Sequence, residues 1–212
     1  MHQLLEAIIV LYSRAAPLAC VADMLLAFHK PYGVLSQFTP DGSGYRSLQE
    51  FGFPKGIYPI GRLDADSEGL LLLSDEPALN RRLLHPDRAH PRLYLAQVEG
   101  IPTPPILAQM QRGVMLQGRR TRPCRAWLMD PQPVMAPRQP PIRVRKSVPD
   151  RWIALELVEG KNRQVRRMTA VIGHPTLRLI RWQIGKFVLG TLRPGEWKIL
   201  DEPERRAVLG LT

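Results

Sequence analysis

Residues 61–76 read GRLDADSEGLLLLSDE and set five carboxylates, Asp64, Asp66, Glu68, Asp75 and Glu76, around four consecutive leucines. The leucine run after Gly69 is short, continuous and apolar, which predicts a strand buried on both faces. Ahead of it, Asp64, Asp66, Ser67 and Gly69 are residues that a tight connection prefers. Counted from Asp64, the spacing approaches an EF-hand loop, with Asp66 third, Glu68 fifth and Gly69 sixth. Against a calcium loop, the twelfth position is Asp75 where a bidentate Glu is required, and positions seven to ten are apolar. The preceding PKGIYPIG (54–61) also holds two prolines and two glycines where an entering helix would have to run. A turn accounts for Ser67 and Gly69 but not for Arg62 standing two residues before an acid at the mouth of a buried strand. A carboxylate on a loop anchored by a rigid strand can be aimed into a cleft. Burial raises an Asp pKa and an adjacent cation lowers it, so a buried nucleophilic Asp needs a guanidinium partner.

A source of guanidinium groups lies further along the chain. NRQVRRMTAVIG (162–173) predicts a helix with Arg163, Arg166 and Arg167 on one face and Val165, Met168 and Ile172 on the other. Three arginines on a helix are ordinarily a solvated face. Here the following strand, TLRLIRWQIGKF (176–187), adds Arg178, Arg181, Trp182 and Lys186, interleaving cations with aromatic residues as single-stranded nucleic-acid sites do.

LLAFHKPYGVLSQF (25–38) predicts strand, turn and strand with Lys30 at the bend, and RLYLAQVEG (92–100) and WIALELVEG (152–160) predict further strands. DEPALNRRLLHP (75–86) predicts a helix opened by Pro77, and TPPILAQMQRGVML (103–116) one opened by proline and closed by Gly113. The proline-rich DPQPVMAPRQPPIRVRK (130–146) reads as an exposed loop available to a partner. Strands and helices mix without a repeating βαβ unit, an α+β pattern.

The composition agrees with a folded chain: 212 residues, 44% hydrophobic and 23% charged. Thirty Lys and Arg against 19 Asp and Glu give a formal charge of +11, a field that draws polyanions or an acidic membrane surface, with nucleic acid the first partner to test. Cys20 and Cys124 form no zinc or redox spacing, which fits a reduced, cytoplasmic setting, and the five histidines are scattered. No stretch after residue 23 approaches the length needed to cross a bilayer. Residues 1–23 are read as an extension outside the fold, 24–203 as the folded domain and 204–212 as a tail.

KPYGVLS (30–36), GRLDADSEGLLLLSDE, RLYLAQVEG, and EGKNRQVRRM (159–168) followed by LRLIRWQIG (177–185) occur in an order that resembles the RsuA-type pseudouridine synthases, over about residues 26–200. The resemblance implies the pseudouridine synthase fold, a mixed and mostly antiparallel sheet flanked by helices and loops with an active-site cleft across it. It implies isomerisation of a uridine in RNA without metal or organic cofactor. Within the family, PPIRVRKSVPDRW (140–152) and the lack of room for an S4 domain ahead of residue 24 favour the branch that modifies uridine 2457 of 23S ribosomal RNA. A cytoplasmic monomer with 23S RNA as partner, and no membrane, is expected.

Carried onto this chain, the resemblance makes Asp64 the nucleophile and Arg62 the residue that occupies the gap left by the departing uridine. Tyr94 stacks on the base, Leu179 is the apolar wall, and Arg166 pairs with the nucleophile. Lys30, Arg163, Arg167 and Arg181 are expected to bind RNA, and Asp66 and Glu68 are loop residues. Arg92 departs from the family, which has Lys two residues before the tyrosine. A non-catalytic RNA-binding or ribosome-assembly protein on the same fold is the alternative, and Asp64 is what separates the two.

Overall fold

The computed structural model describes residues 23–85, 90–142 and 147–211. Residues 1–22, which carry nearly all of the expected extension, and residues 143–146 of the PPIRVRKSVPDRW stretch lie outside the described part.

The chain forms Leu25–Lys30 (β1), Tyr58–Ile60 (β2), Glu68–Ser74 (β3), Pro77–Leu84 (α1), Arg92–Glu99 (β4) and Pro104–Gln111 (α2). A small hairpin follows, Met115–Leu116 (β5) and Arg119–Arg120 (β6), and then Arg125–Leu128 (β7) and Asp150–Leu157 (β8). Gln164–Val171 (α3), Thr176–Ile184 (β9), Phe187–Val188 (β10), Trp197–Ile199 (β11) and Glu202–Leu209 (α4) complete it. Among the described residues nine strands make one sheet, β11-β1-β3-β9-β4-β8-β7, with β2 paired to β3 and β10 to β9. Its pairings are antiparallel except β3 with β9, so the sheet is mixed and mostly antiparallel, as the resemblance implies.

β3 carries the leucine run, and all seven of its residues are buried. Alternation sends Leu70 and Leu72 to one face, with Leu25, Ala27, Leu95, Ala154 and Ile180. Leu71 and Leu73 go to the other, with Leu26, Phe28 and Leu48. Apolar matter on both sides is why the run is continuous and does not alternate with polar residues. On the second face a neighbouring cluster gathers Ala96, Val98, Ile153 and Leu155 under α2 and α3, through Leu107, Met110, Val165 and Met168. Each buried leucine contributes about 1.5–3 kcal/mol relative to exposure, so these clusters fix the relative position of the strands.

Two expectations need correction. The chain after Lys30 turns at Pro31–Gly33 but forms no second strand: Val34 makes one isolated bridge to Arg46. Of the expected tail, 204–212, the described residues 204–211 belong to the fold, because α4 starts at an Asp201–Glu204 capping box, stops at the left-handed Gly210, and buries Val208 completely in the core. The proline-rich segment has no regular structure over its described residues, as expected, yet it is tied down. Ala136 O accepts a 2.8 Å hydrogen bond from Arg178, and Gln132 accepts from Trp152 N at 2.7 Å.

Candidate active site

The loop Gly61–Ser67 between β2 and β3 is held on either side of Asp64. Leu63 donates to Ser36 Oγ at 2.9 Å, and that hydroxyl donates back to Leu63 O at 2.7 Å. Gly33 N donates to Ala65 O at 2.7 Å, and Ser67 N closes a turn onto Asp64 O at 3.0 Å. The KPYGVLS segment therefore clamps residues 63 and 65 and leaves Asp64 between two fixed points. Gly69 follows because β3 and β9 approach closely in parallel at Gly69 and Arg181. A Cβ at Gly69 would stand 2.3 Å from Arg181 O, and its φ is 102°.

Asp64 lines a cleft of about 360 Å³ with Arg62, Tyr94, Leu179, Arg181 and Arg163. Tyr94 on β4 lies across from Arg181 on β9, beside a register shift at Leu93 and Tyr94, and Leu179 lies across from Ala96. Tyr94 packs against both apolar clusters of this face, so the cleft opens at their seam. Arg62 is exposed at the rim, and Arg92, donating to Leu83 O at 2.8 Å, is a buried part of the wall. A second cleft, of about 430 Å³, lies under the proline-rich segment by Trp152 and Arg178, on the opposite sheet face.

The five carboxylates of the opening segment separate. Asp66 accepts two hydrogen bonds from Arg163, at 3.0 and 2.7 Å. Burial disfavours its charge, but the Arg163 hydrogen bonds and the charges of Arg166 and Arg163 outweigh that and hold its pKa below the ordinary carboxylate value. Glu68 is no loop residue: it is buried in β3 and bonded twice to Arg178, both at 2.8 Å. Asp75 accepts from Met24 N at 2.8 Å, and Glu76 pairs with Arg205. This dispersal is incompatible with a calcium loop counted from Asp64, because Glu68 is consumed by a buried guanidinium.

Three of the expected assignments are corrected. The close contacts of Arg166 are with Asp66, and its charge reaches Asp64 only through space: its Nη2 donates to Asp66 O at 2.6 Å, and its Nε lies 3.4 Å from Asp66 Oδ2. The cation nearest Asp64 is Arg163, at 3.7 Å, because its left-handed backbone as N-cap of α3 takes it off the helical face. Lys30 does not face RNA: it is fully buried and donates to Pro31 O and Val34 O at 3.0 and 2.7 Å. Arg181 is likewise buried, donating to Leu70 O at 2.7 Å with Nη2 unpartnered among the described residues. The RNA contact expected at Arg181 is thus a buried cation in the cleft wall. Strand alternation carried this signal, since Arg181 lies two residues after Leu179 and so on the same face. Arg167 is half-buried, donating to Gln117 and Asn162 at 2.8 and 2.9 Å.

Sequence reasoning passed over the turn before α3. Buried Gln164 accepts from Lys161 N at 2.9 Å and donates to Glu159 at 2.6 Å, fixing Glu159, Lys161 and Asn162 along the cleft. Of the two carboxylates among the cleft's lining residues, Glu159 is taken by Gln164, by Arg122 N at 2.9 Å and by Lys161 at 3.5 Å. Asp64 accepts no side-chain hydrogen bond among the described residues, and Arg163 approaches it at 3.7 Å.

Comparison with known proteins follows the same line. The family model described as RNA pseudouridylate synthase matches residues 24–171. The ribosomal large subunit pseudouridine synthase E of Xanthomonas campestris pv. campestris is 49% identical over 179 residues, covering 84% of this chain and 96% of that protein. The protein of the same name from Vibrio vulnificus is 46% identical over 180 residues, covering 84% and 76%. A crystal structure of a pseudouridylate synthase superposes with a TM-score of 0.72 at 25% identity, over 88% of this chain and 74% of that one.

Proposed function

The chain belongs to the RNA pseudouridylate synthase family, and from that premise we propose that it converts one uridine of 23S ribosomal RNA, at position 2457, to pseudouridine with Asp64 as nucleophile. The observation that carries the assignment is the state of the cleft carboxylates: Glu159 is spent on internal hydrogen bonds, whereas Asp64 is held in place through its backbone with its carboxylate left available. The names of the relatives support the large ribosomal subunit as substrate. The site at 2457 rests on the resemblance to the corresponding branch.

The reaction breaks the bond from ribose C1′ to uracil N1, turns the base and joins C1′ to C5. The proton on C5 is released and N1 gains one, so nothing is oxidised or hydrolysed. A cleft of this kind receives the uridine after it leaves its stack, with Tyr94 and Leu179 contacting the base and Arg62 at the rim offsetting lost stacking. Arg181 and Arg163 supply positive charge to a partly desolvated carboxylate, the role that the sequence assigned to Arg166. Arg166 acts one step back: by holding the Asp66 carbonyl it fixes the loop that carries Asp64.

RNA tritiated at uracil C5 tests the proposal. Wild type is expected to release label from large-subunit RNA, and Asp64→Asn to release it at least roughly a hundredfold more slowly while still binding RNA. Equal release by both proteins would remove Asp64 from the chemistry. No release by wild type from naked or partly assembled RNA would favour a non-catalytic RNA-binding protein on this fold. Loss of pseudouridine at a position other than 2457 in a deletion strain would reassign the target.

A further inference from the structure

From Ile101 to Met129 the chain has no Asp or Glu and five arginines, at 112, 119, 120, 122 and 125. Elsewhere the fold neutralises many of its arginines internally: Arg46 with Glu50, Arg163 with Asp66, Arg178 with Glu68 and Arg205 with Glu76. The hairpin of β5 and β6 does not follow that habit. Arg112 and Arg119 are exposed, and their guanidinium groups have no hydrogen-bond or ion-pair partner among the described residues. The Arg120 guanidinium donates to Gly113 O, at 3.0 Å, and Arg167, which reaches Gln117 at the hairpin tip, is bonded to two neutral side chains.

This basic hairpin is tightly turned and hydrogen-bonded at its base. Its two-residue turn, Gln117-Gly118, has positive φ at both positions, 49° and 76°, as the tight hairpin turn matched to strand twist requires. At its base Thr121 N donates to Val114 O and Val114 N to Thr121 Oγ1, at 2.9 and 3.0 Å.

It is also joined to the catalytic cleft at two places. At the tip, Gln117 accepts from Arg167, which in turn donates to Asn162 on the cleft lining. Beyond β6, Arg122 N donates to Glu159, another lining residue. Arg167 lies four residues after Arg163, about 6 Å along α3, so unneutralised charge begins one helical turn from the cleft and continues onto the hairpin.

We propose that the Met115–Arg120 hairpin, with Arg112 and Arg167, is a phosphate-binding arm that grips the RNA backbone next to the flipped nucleotide. Guanidinium groups without internal ion-pair partners bind phosphate at no cost in broken ion pairs, and attachment beside the cleft holds the bound backbone next to it. The arm contributes affinity and carries no base readout. The proposal rests on the RNA-modifying reading of the cleft.

The test compares wild type, Arg112→Ala/Arg119→Ala and Arg119→Glu with Arg193→Glu, an equal charge change outside the hairpin segment. Binding of transcribed 23S RNA is measured at graded KCl, and C5-tritium release in single turnover. Chemical denaturation verifies that each variant is folded. In the double variant, log affinity against log salt is expected to flatten by about one unit for each lost contact, with Kd rising roughly tenfold near 0.15 M salt. The release rate at saturating RNA is expected to stay within about twofold of wild type, and Arg193→Glu is expected to follow wild type in the salt slope. Slopes and Kd values for the hairpin variants equal to those of Arg193→Glu would overturn the proposal. Unaltered RNA binding with loss of ribosome association would mean that the arm meets an acidic protein surface, and would overturn it too. Because the slopes need no turnover, absence of label release from wild type would refute the reading of the cleft without deciding the arm.

Discussion

Five acidic side chains within thirteen residues take five different environments, and the difference lies in what reaches each of them from far along the chain. Asp66 receives Arg163, Glu68 receives Arg178, Asp75 receives Met24 N and Glu76 receives Arg205, while Asp64 stays available in the cleft. Lys30 is the counterpart among cations. Burial drives its ammonium down from 10.5 to about 7, although Glu68, Asp66 and Asp64 pull the other way. Between pH 7 and 10.5 the unfolded chain therefore holds a proton on this lysine that the folded chain has lost. The lysine's destabilising effect is full below pH 7 and fades as pH rises through that window. We expect the unfolding free energy of wild type, relative to Lys30→Met, to rise between about pH 7 and pH 9.5 in urea titrations. A constant difference would mean that Lys30 titrates in the folded protein as it does in the unfolded one.

At the level of elements, the parallel contact of β3 with β9 sets the Asp64 loop beside Arg181, and a single glycine permits that contact. Gly69→Ala puts a methyl group 2.3 Å from Arg181 O at a φ of 102°, so the parallel pairing must open. We expect a loss of stability above about 3 kcal/mol, with activity falling further than the folded fraction, because Arg181 and the Asp64 loop move together. Urea unfolding and single-turnover release at matched folded fractions measure the two effects. Continuous patterns made β3, β4, β8, β9 and three of the four helices legible in the sequence. The strand expected after Pro31 was not, since its residues spend their hydrogen bonds on the 61–67 loop and on Arg46. Nor was the placement of Arg163, because helical spacing assumes helical dihedrals and this residue is left-handed at φ 50°.

For the molecule as a whole, closure depends on the C-terminal helix. α4 seats Val208 among Leu25, Ile184 and Leu200, and Lys186 N donates to Ala207 O at 2.8 Å. Val208→Ala is expected to lower stability by about 2 kcal/mol in chemical denaturation with the release rate per folded molecule unchanged, since the helix does not line the cleft. An unchanged unfolding midpoint would deny the helix a place in the core. What the sequence alone determined was whatever local pattern encodes: the buried leucine strand, the α+β order, the excess of positive charge, and a motif order that implied the family and put Asp64, Tyr94 and Leu179 in one site. What only the tertiary structure decided was which charge meets which. Asp66 and Arg163 are 97 residues apart, and Glu68 and Arg178 are 110 apart. An ion pair over such a distance depends on strand register, helix start and burial together, and a one-residue change in any of them sends the side chain to another face. For that reason Arg166 could be assigned to the wrong carboxylate, and Lys30 and Arg181 to the surface, by a reading that had the right residues and lacked their surroundings.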